Sequence, residues 1–90
     1  MWVPSRFVSE QKNQEIEEFI VKELQAGSGL ESIRPDEDLL AADLIDSLGI
    51  TELVSFLEAK YGIAVSDDQL TPDNFQTIEK IVAFVERQQT

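Results

Sequence analysis

Three apolar stripes at helical spacing restrict this chain more than anything else in it. Ile16, Phe19, Ile20 and Leu24 form the first. Ile50, Leu53, Val54, Leu57 and Tyr61 form the second, and Ile78, Ile81, Val82 and Val85, flanked by Phe84, the third. At about 100° per residue each set falls on one side of a helix. No segment reads as a strand. A chain of 90 residues makes one domain with a single core, so the stripes must face one another. The expected fold is all-α: a small four-helix bundle of three main helices, one short helix and a long first loop.

The spacing predicts the first helix over about residues 10–26, capped by Ser9 and stopped by Gly27-Ser28-Gly29. Residues 1–9, with Trp2 and Phe7, read as an extended lead-in, and residues 10–90 as the single domain. The connection over 27–46 is long for a compact domain. Its leucines suggest that it lies on the core, and one helical turn fits near Asp38 to Ala42. The second helix is predicted from Ser47 to Tyr61, ending at Gly62. Ser66 to Gln69 has capping-box spacing, and Thr71-Pro72 offers a competing helix start. One short helix is expected between 67 and 76, with Leu70 and Phe75 inward. The last helix begins near Thr77.

Absent residue types narrow the chemistry. There is no histidine and no cysteine. That removes disulfides, thiolate metal sites, the usual general base and every Ser-His or Cys-His nucleophile. The chain is not expected to be an enzyme. A small hydrolase using Ser47 would lack both base and orienter. Asp36, Asp38 and Asp43 lack the glycine and terminal glutamate of a calcium loop, so no metal site is expected.

The net charge is −11, and residues 31–73 hold 11 acids against Arg34 and Lys60. Nucleic acid and anionic membranes are poor partners for such a surface; basic proteins are good ones. No apolar run approaches the roughly 20 residues of a membrane span, and the N-terminal stretch does not resemble a signal peptide. A cytoplasmic monomer without membrane insertion is expected.

The acidic loop turns into the second helix at Asp46-Ser47-Leu48. A hydroxyl there sits beside unsatisfied N–H groups at the positive end of the helix dipole, a place that favours a phosphate. Asp and Ser before an apolar helix are also ordinary caps. Leu48 is harder to explain by capping, because it falls on the solvent side with Thr51, Glu52, Ser55 and Ala59, Phe56 lying at the border.

Residues 36–85 resemble the acyl and peptidyl carrier proteins, which bear phosphopantetheine. The resemblance rests on Asp38-Leu39-Leu40, Asp46-Ser47-Leu48, Glu52-Leu53, Tyr61-Gly62-Ile63 and the run from Asp68 to Phe75, in that order. It implies a right-handed four-helix bundle. It also implies a 4′-phosphopantetheine arm on Ser47, added from coenzyme A by a Mg²⁺-dependent transferase, whose thiol holds an acyl or aminoacyl group as a thioester. Asp46 matches the family's acid before the serine, placed to help position the metal or the partner enzyme. Leu48, Thr51, Glu52 and Ser55 would dock partners: the phosphopantetheinyl transferase, an acyl- or amino-acid-activating ligase, and a downstream acyltransferase or synthase. The polar Thr51 and Ser55 make the chain most similar to stand-alone aminoacyl or D-alanyl-type carriers. One departure is Leu44, where the family commonly has glycine three residues before the serine. The rival reading is an unmodified helical protein–protein interaction module.

Overall fold

The computed structural model describes the backbone of residues 5–89 and the side chains of 10–89. Four helices form, with no strand among the described residues. They are α1 (Ser5–Phe19), α2 (Ser47–Tyr61), α3 (Pro72–Phe75) and α4 (Ile78–Gln89). Helix α4 is the centre, packing against each of the other three. Its Ile78, Ile81, Val82, Phe84 and Val85 are buried together with Ile16, Ile20, Leu53, Leu57 and Phe75. All three predicted stripes therefore meet in one core.

Helix α1 begins at Ser5, not near residue 10, so Ser9 is a helical residue and not a cap. Nothing in Ser5-Arg6-Phe7-Val8-Ser9 breaks a helix, and the chain continues one backward. Trp2 and the side chain of Phe7 lie outside the described residues. At its other end α1 widens into a π-turn over Ile20–Leu24, with the Gln25 N–H donating to the Ile20 carbonyl at 2.9 Å. The helical run thus ends at Leu24. Gly27 and Gly29 then take left-handed φ values of 82° and 87° in the next turn.

Side chains fasten the helices to one another. Phe19 stacks on Phe56 with ring centroids 4.4 Å apart. The Tyr61 hydroxyl donates to Glu15 at 2.7 Å. Partial burial, reinforced by that carboxylate, raises the pKa of the phenol. Lys12 is buried along its stem and pairs with Glu86 of α4 at 3.6 Å.

The long connection lies on the core, as its leucines suggested: Ile33, Leu39 and Ile45 are all buried. Glu17 accepts from the Ile33 N–H at 2.9 Å, and the Pro35 carbonyl accepts from the Glu79 N–H at 3.1 Å. Residues 39–43 form a hydrogen-bonded turn with a single helical bond, Ala42 N–H to the Asp38 carbonyl, and no helix propagates.

One short α-helix does form between 67 and 76, as expected, but both starts are used and Leu70 does not turn inward with Phe75. Ser66 and Gln69 close a reciprocal capping box on a single 3₁₀ turn, Asp67–Gln69. Helix α3 then starts afresh with Pro72 at its first position. The break falls at Leu70, so Leu70 and Phe75 share no helical face. Phe75 is buried, whereas Leu70 is 38% exposed.

Candidate functional site

The start of α2 is built by Asp46. Its extended backbone ends the loop, and its Oδ1 accepts the Gly49 N–H at 2.7 Å. Its carbonyl accepts the Ile50 N–H at 2.8 Å. Ser47 is the first helical residue and is exposed. Among the described residues its hydroxyl makes no hydrogen bond, and neither its N–H nor that of Leu48 has an acceptor. An exposed hydroxyl thus stands beside two open N–H donors at the positive end of a 15-residue helix.

Gly49 has a steric reason as well as a hydrogen bond. It is buried, and a Cβ there would stand 3.2 Å from Asp46 Oδ1 and 3.5 Å from Leu24 Cδ1. A glycine inside an apolar stripe costs about 1 kcal/mol of helix propensity. That cost is the one sign of a close approach that the residue pattern carries, and the apolar periodicity around it hides it.

The loop before the serine is shaped by one left-handed residue, Asp43, at φ 60°. Leu44 needs no glycine, because the positive φ falls one position earlier. The Leu44 N–H donates to the Leu39 carbonyl at 2.9 Å, and its side chain packs against the core.

Leu48, Thr51, Glu52 and Ser55 are all exposed along α2, Leu48 by 68%. The Thr51 hydroxyl is turned back onto the Ser47 carbonyl at 3.2 Å. Helix α1 shares this face, which sequence reasoning missed. Glu23, Leu24 and Gln25 line a shallow concavity of about 150 Å³ with Asp43, Asp46, Leu48 and Glu52. Glu23, Phe19 and Phe56 line the next one with Thr51, Glu52 and Ser55.

The ion pairs of the described residues lie elsewhere: Lys12 with Glu86, Lys22 with Glu18, Arg34 with Asp36 and Lys60 with Glu15. Glu23, Asp43, Asp46 and Glu52 are in none of them, so the acids gathered beside Ser47 have no ion-pair partner among the described residues. Asp36 and Asp38 are committed to partners of their own, Asp36 within the loop and Asp38 both within it and to Gln76. Asp36 is held below the ordinary carboxylate range by Arg34. Asp38 is held below it by the Ala41 N–H, then by Gln76 and the Leu40 N–H. Among the described residues no group of three or more acids is placed to hold a metal, and no helix is long and apolar enough to cross a membrane.

Residues 14–85 match the family described as "Phosphopantetheine attachment site". The chain is also similar to the D-alanyl carrier proteins of Streptococcus pyogenes serotype M5 (strain Manfredo) and serotype M49 (strain NZ131). Each is 43% identical over 54 residues, which is 60% of this chain and 68% of the relative. An all-helical bundle with no histidine or cysteine, and an open hydroxyl at one helix start, agrees with both matches. The chain belongs to the phosphopantetheine-bearing carrier proteins: it holds an acyl or aminoacyl group on a covalent 4′-phosphopantetheine arm and catalyses nothing itself.

Proposed function

We propose that Ser47 carries the arm. One observation supports this above the rest: Ser47 is an exposed first-turn hydroxyl with no hydrogen-bond partner among the described residues. The residues present fit a phosphate-linked group there. The open N–H groups of Ser47 and Leu48 can donate to a phosphodiester oxygen, and the residues on either side of the serine, Asp46 and Leu48, line the neighbouring concavity. When bound, the group supplies the thiol that the sequence lacks. Loading forms a Ser47 Oγ–P bond as the pyrophosphate P–O bond of coenzyme A breaks. Adenosine bisphosphate leaves, and the hydroxyl proton passes to the transferase.

Asp46 keeps one oxygen on Gly49, which leaves the other for a divalent ion brought by that transferase. The cargo is a small aminoacyl group, D-alanyl by analogy with the relatives. The partners are the transferase, an amino-acid-activating ligase and a downstream acyl acceptor enzyme. The carrier acts as a cytoplasmic monomer.

Incubation with coenzyme A and a broad-specificity transferase tests the site. The intact mass should rise by one arm, and Ser47→Ala should abolish the gain. A gain that survives Ser47→Ala places the arm elsewhere, and no gain with several transferases favours the unmodified interaction module.

Leu48, Thr51, Glu52 and Ser55 form the docking face. Exposed charges there give modest, salt-screened affinity, which suits a carrier that must leave each partner. Leu48→Glu should raise KM for the carrier with a partner enzyme while thermal stability holds. An unchanged KM removes Leu48 from the face.

A further inference from the structure

We propose that the π-turn closing α1 positions the attachment loop, and that Gln25 is the positioning residue through which it acts. This inference rests on the reading of Ser47 as the attachment residue.

A continued α-helix would bond the Gln25 N–H to the carbonyl four residues back. Here it reaches Ile20, five back, at 2.9 Å. The extra residue in the turn rotates the downstream residues by about 100° relative to an unbroken helix. Two contacts depend on that rotation. The Gln25 amide donates from Nε2 to the Leu44 carbonyl at 2.9 Å, across 19 residues of chain. Leu24 reaches Gly49, its Cδ1 lying 3.5 Å from where a Cβ would stand. One irregular turn therefore touches the chain three residues before Ser47 and two residues after it.

The loop needs such a hold. Asp43 is left-handed, and Asp46 is already committed to the helix start. From the other side, the Leu39 N–H is fixed to the Gln76 carbonyl at 2.8 Å, and Leu44 is bonded back to Leu39. The Gln25 bond closes the remaining side, next to buried Ile45. π-Turns are rare, and they concentrate at functional sites. This one spends its irregularity on the approach to Ser47.

The test compares Gln25→Met, which keeps the reach without a donor, and Gln25→Lys, which restores a donor. Each full-length carrier is titrated against one transferase with coenzyme A, and loading is followed by mass. Misplacing the nucleophile should lower kcat about tenfold in Gln25→Met with KM for the carrier unchanged. Gln25→Lys should recover most of it. Amide exchange at Ile45, Asp46 and Ser47 should quicken in Gln25→Met alone. A Gln25→Met variant that keeps wild-type kcat overturns the proposal, even if its melting temperature falls, since the bond would then be only structural. A fall in kcat that Gln25→Lys does not recover overturns it as well. Failure of the attachment reading is distinct: the wild type would then gain no mass, or Ser47→Ala would still gain it.

Discussion

Helices α2 and α4 start with the same local device and end in opposite situations. In each, a short polar side chain caps the third helical N–H: Asp46 takes that of Gly49 at 2.7 Å, and Thr77 takes that of Lys80 at 3.1 Å. In each, the cap's own carbonyl accepts the next N–H, from Ile50 or Ile81. The residue after the cap is where they part. At α4 it is Ile78, 1% exposed, and the next N–H, that of Glu79, is taken by the Pro35 carbonyl. At α2 it is the exposed Ser47, and the next N–H, that of Leu48, has no acceptor among the described residues. Capping starts a helix; the surrounding chain decides whether that start is closed into the core or left open at the surface.

Exchanging the chemistry of the two first positions should break the comparison most strongly. Ile78→Ser leaves a cavity and an unpartnered hydroxyl in the core, and should cost about 3 kcal/mol in a denaturant titration. A loss under about 1 kcal/mol would mean that the α4 start is far looser than its burial implies. The caps come next, and here the two ends should agree. Asp46→Ala and Thr77→Ala should each cost about 1 kcal/mol, because each strands one N–H of the first turn. Clearly unequal losses would show that one cap has a further structural partner.

The two starts were not equally legible. Both caps could be read from residue type followed by an apolar stripe, and the open face of α2 came from Leu48 falling off that stripe. What closes α4 could not be read, since Pro35 and Glu79 meet only through the path of the loop. The same limit hid Gln25, whose partner lies 19 residues away. A π-turn has no composition of its own: Ile20 to Leu24 reads as ordinary helix, and only the hydrogen-bond register differs. Gly49 was legible in principle, because a glycine within a helix needs a reason. The start of α1 at Ser5 was hidden by Ser9, a good cap residue in a stretch with nothing to stop the helix running past it.

Acid offers a way to loosen the closed start. The loop that covers α4 is tied down by Asp38, which accepts from the Ala41 N–H at 2.9 Å and from Gln76 Nε2 at 2.7 Å. These bonds hold its pKa below the ordinary carboxylate value. A lowered folded-state pKa adds stability above the unfolded value, and that stability disappears as pH falls through the folded one. Stability should therefore fall below about pH 4, with amide exchange at Glu79 quickening as the Pro35 carbonyl lifts away. Asp38→Asn should flatten that part of the pH profile. A profile unchanged by Asp38→Asn would assign the slope to other acids, Asp36 beside Arg34 first among them.

The smallest effect is the most telling for the open start. Ser47→Ala removes a hydroxyl that meets no protein partner among the described residues, from a position where the cap is already Asp46. Alanine is at least as good a helix former as serine, so the loss of stability should stay within about 0.5 kcal/mol, or become a slight gain. A loss above about 1 kcal/mol would mean that the hydroxyl supports the loop or helix start, and α2 would then resemble α4 in being closed by its own chain. A protein that folds as before yet takes up no arm would show the reverse. The serine at the head of α2 would then contribute nothing to holding the bundle together, and its chemistry would be wholly available to the group it carries.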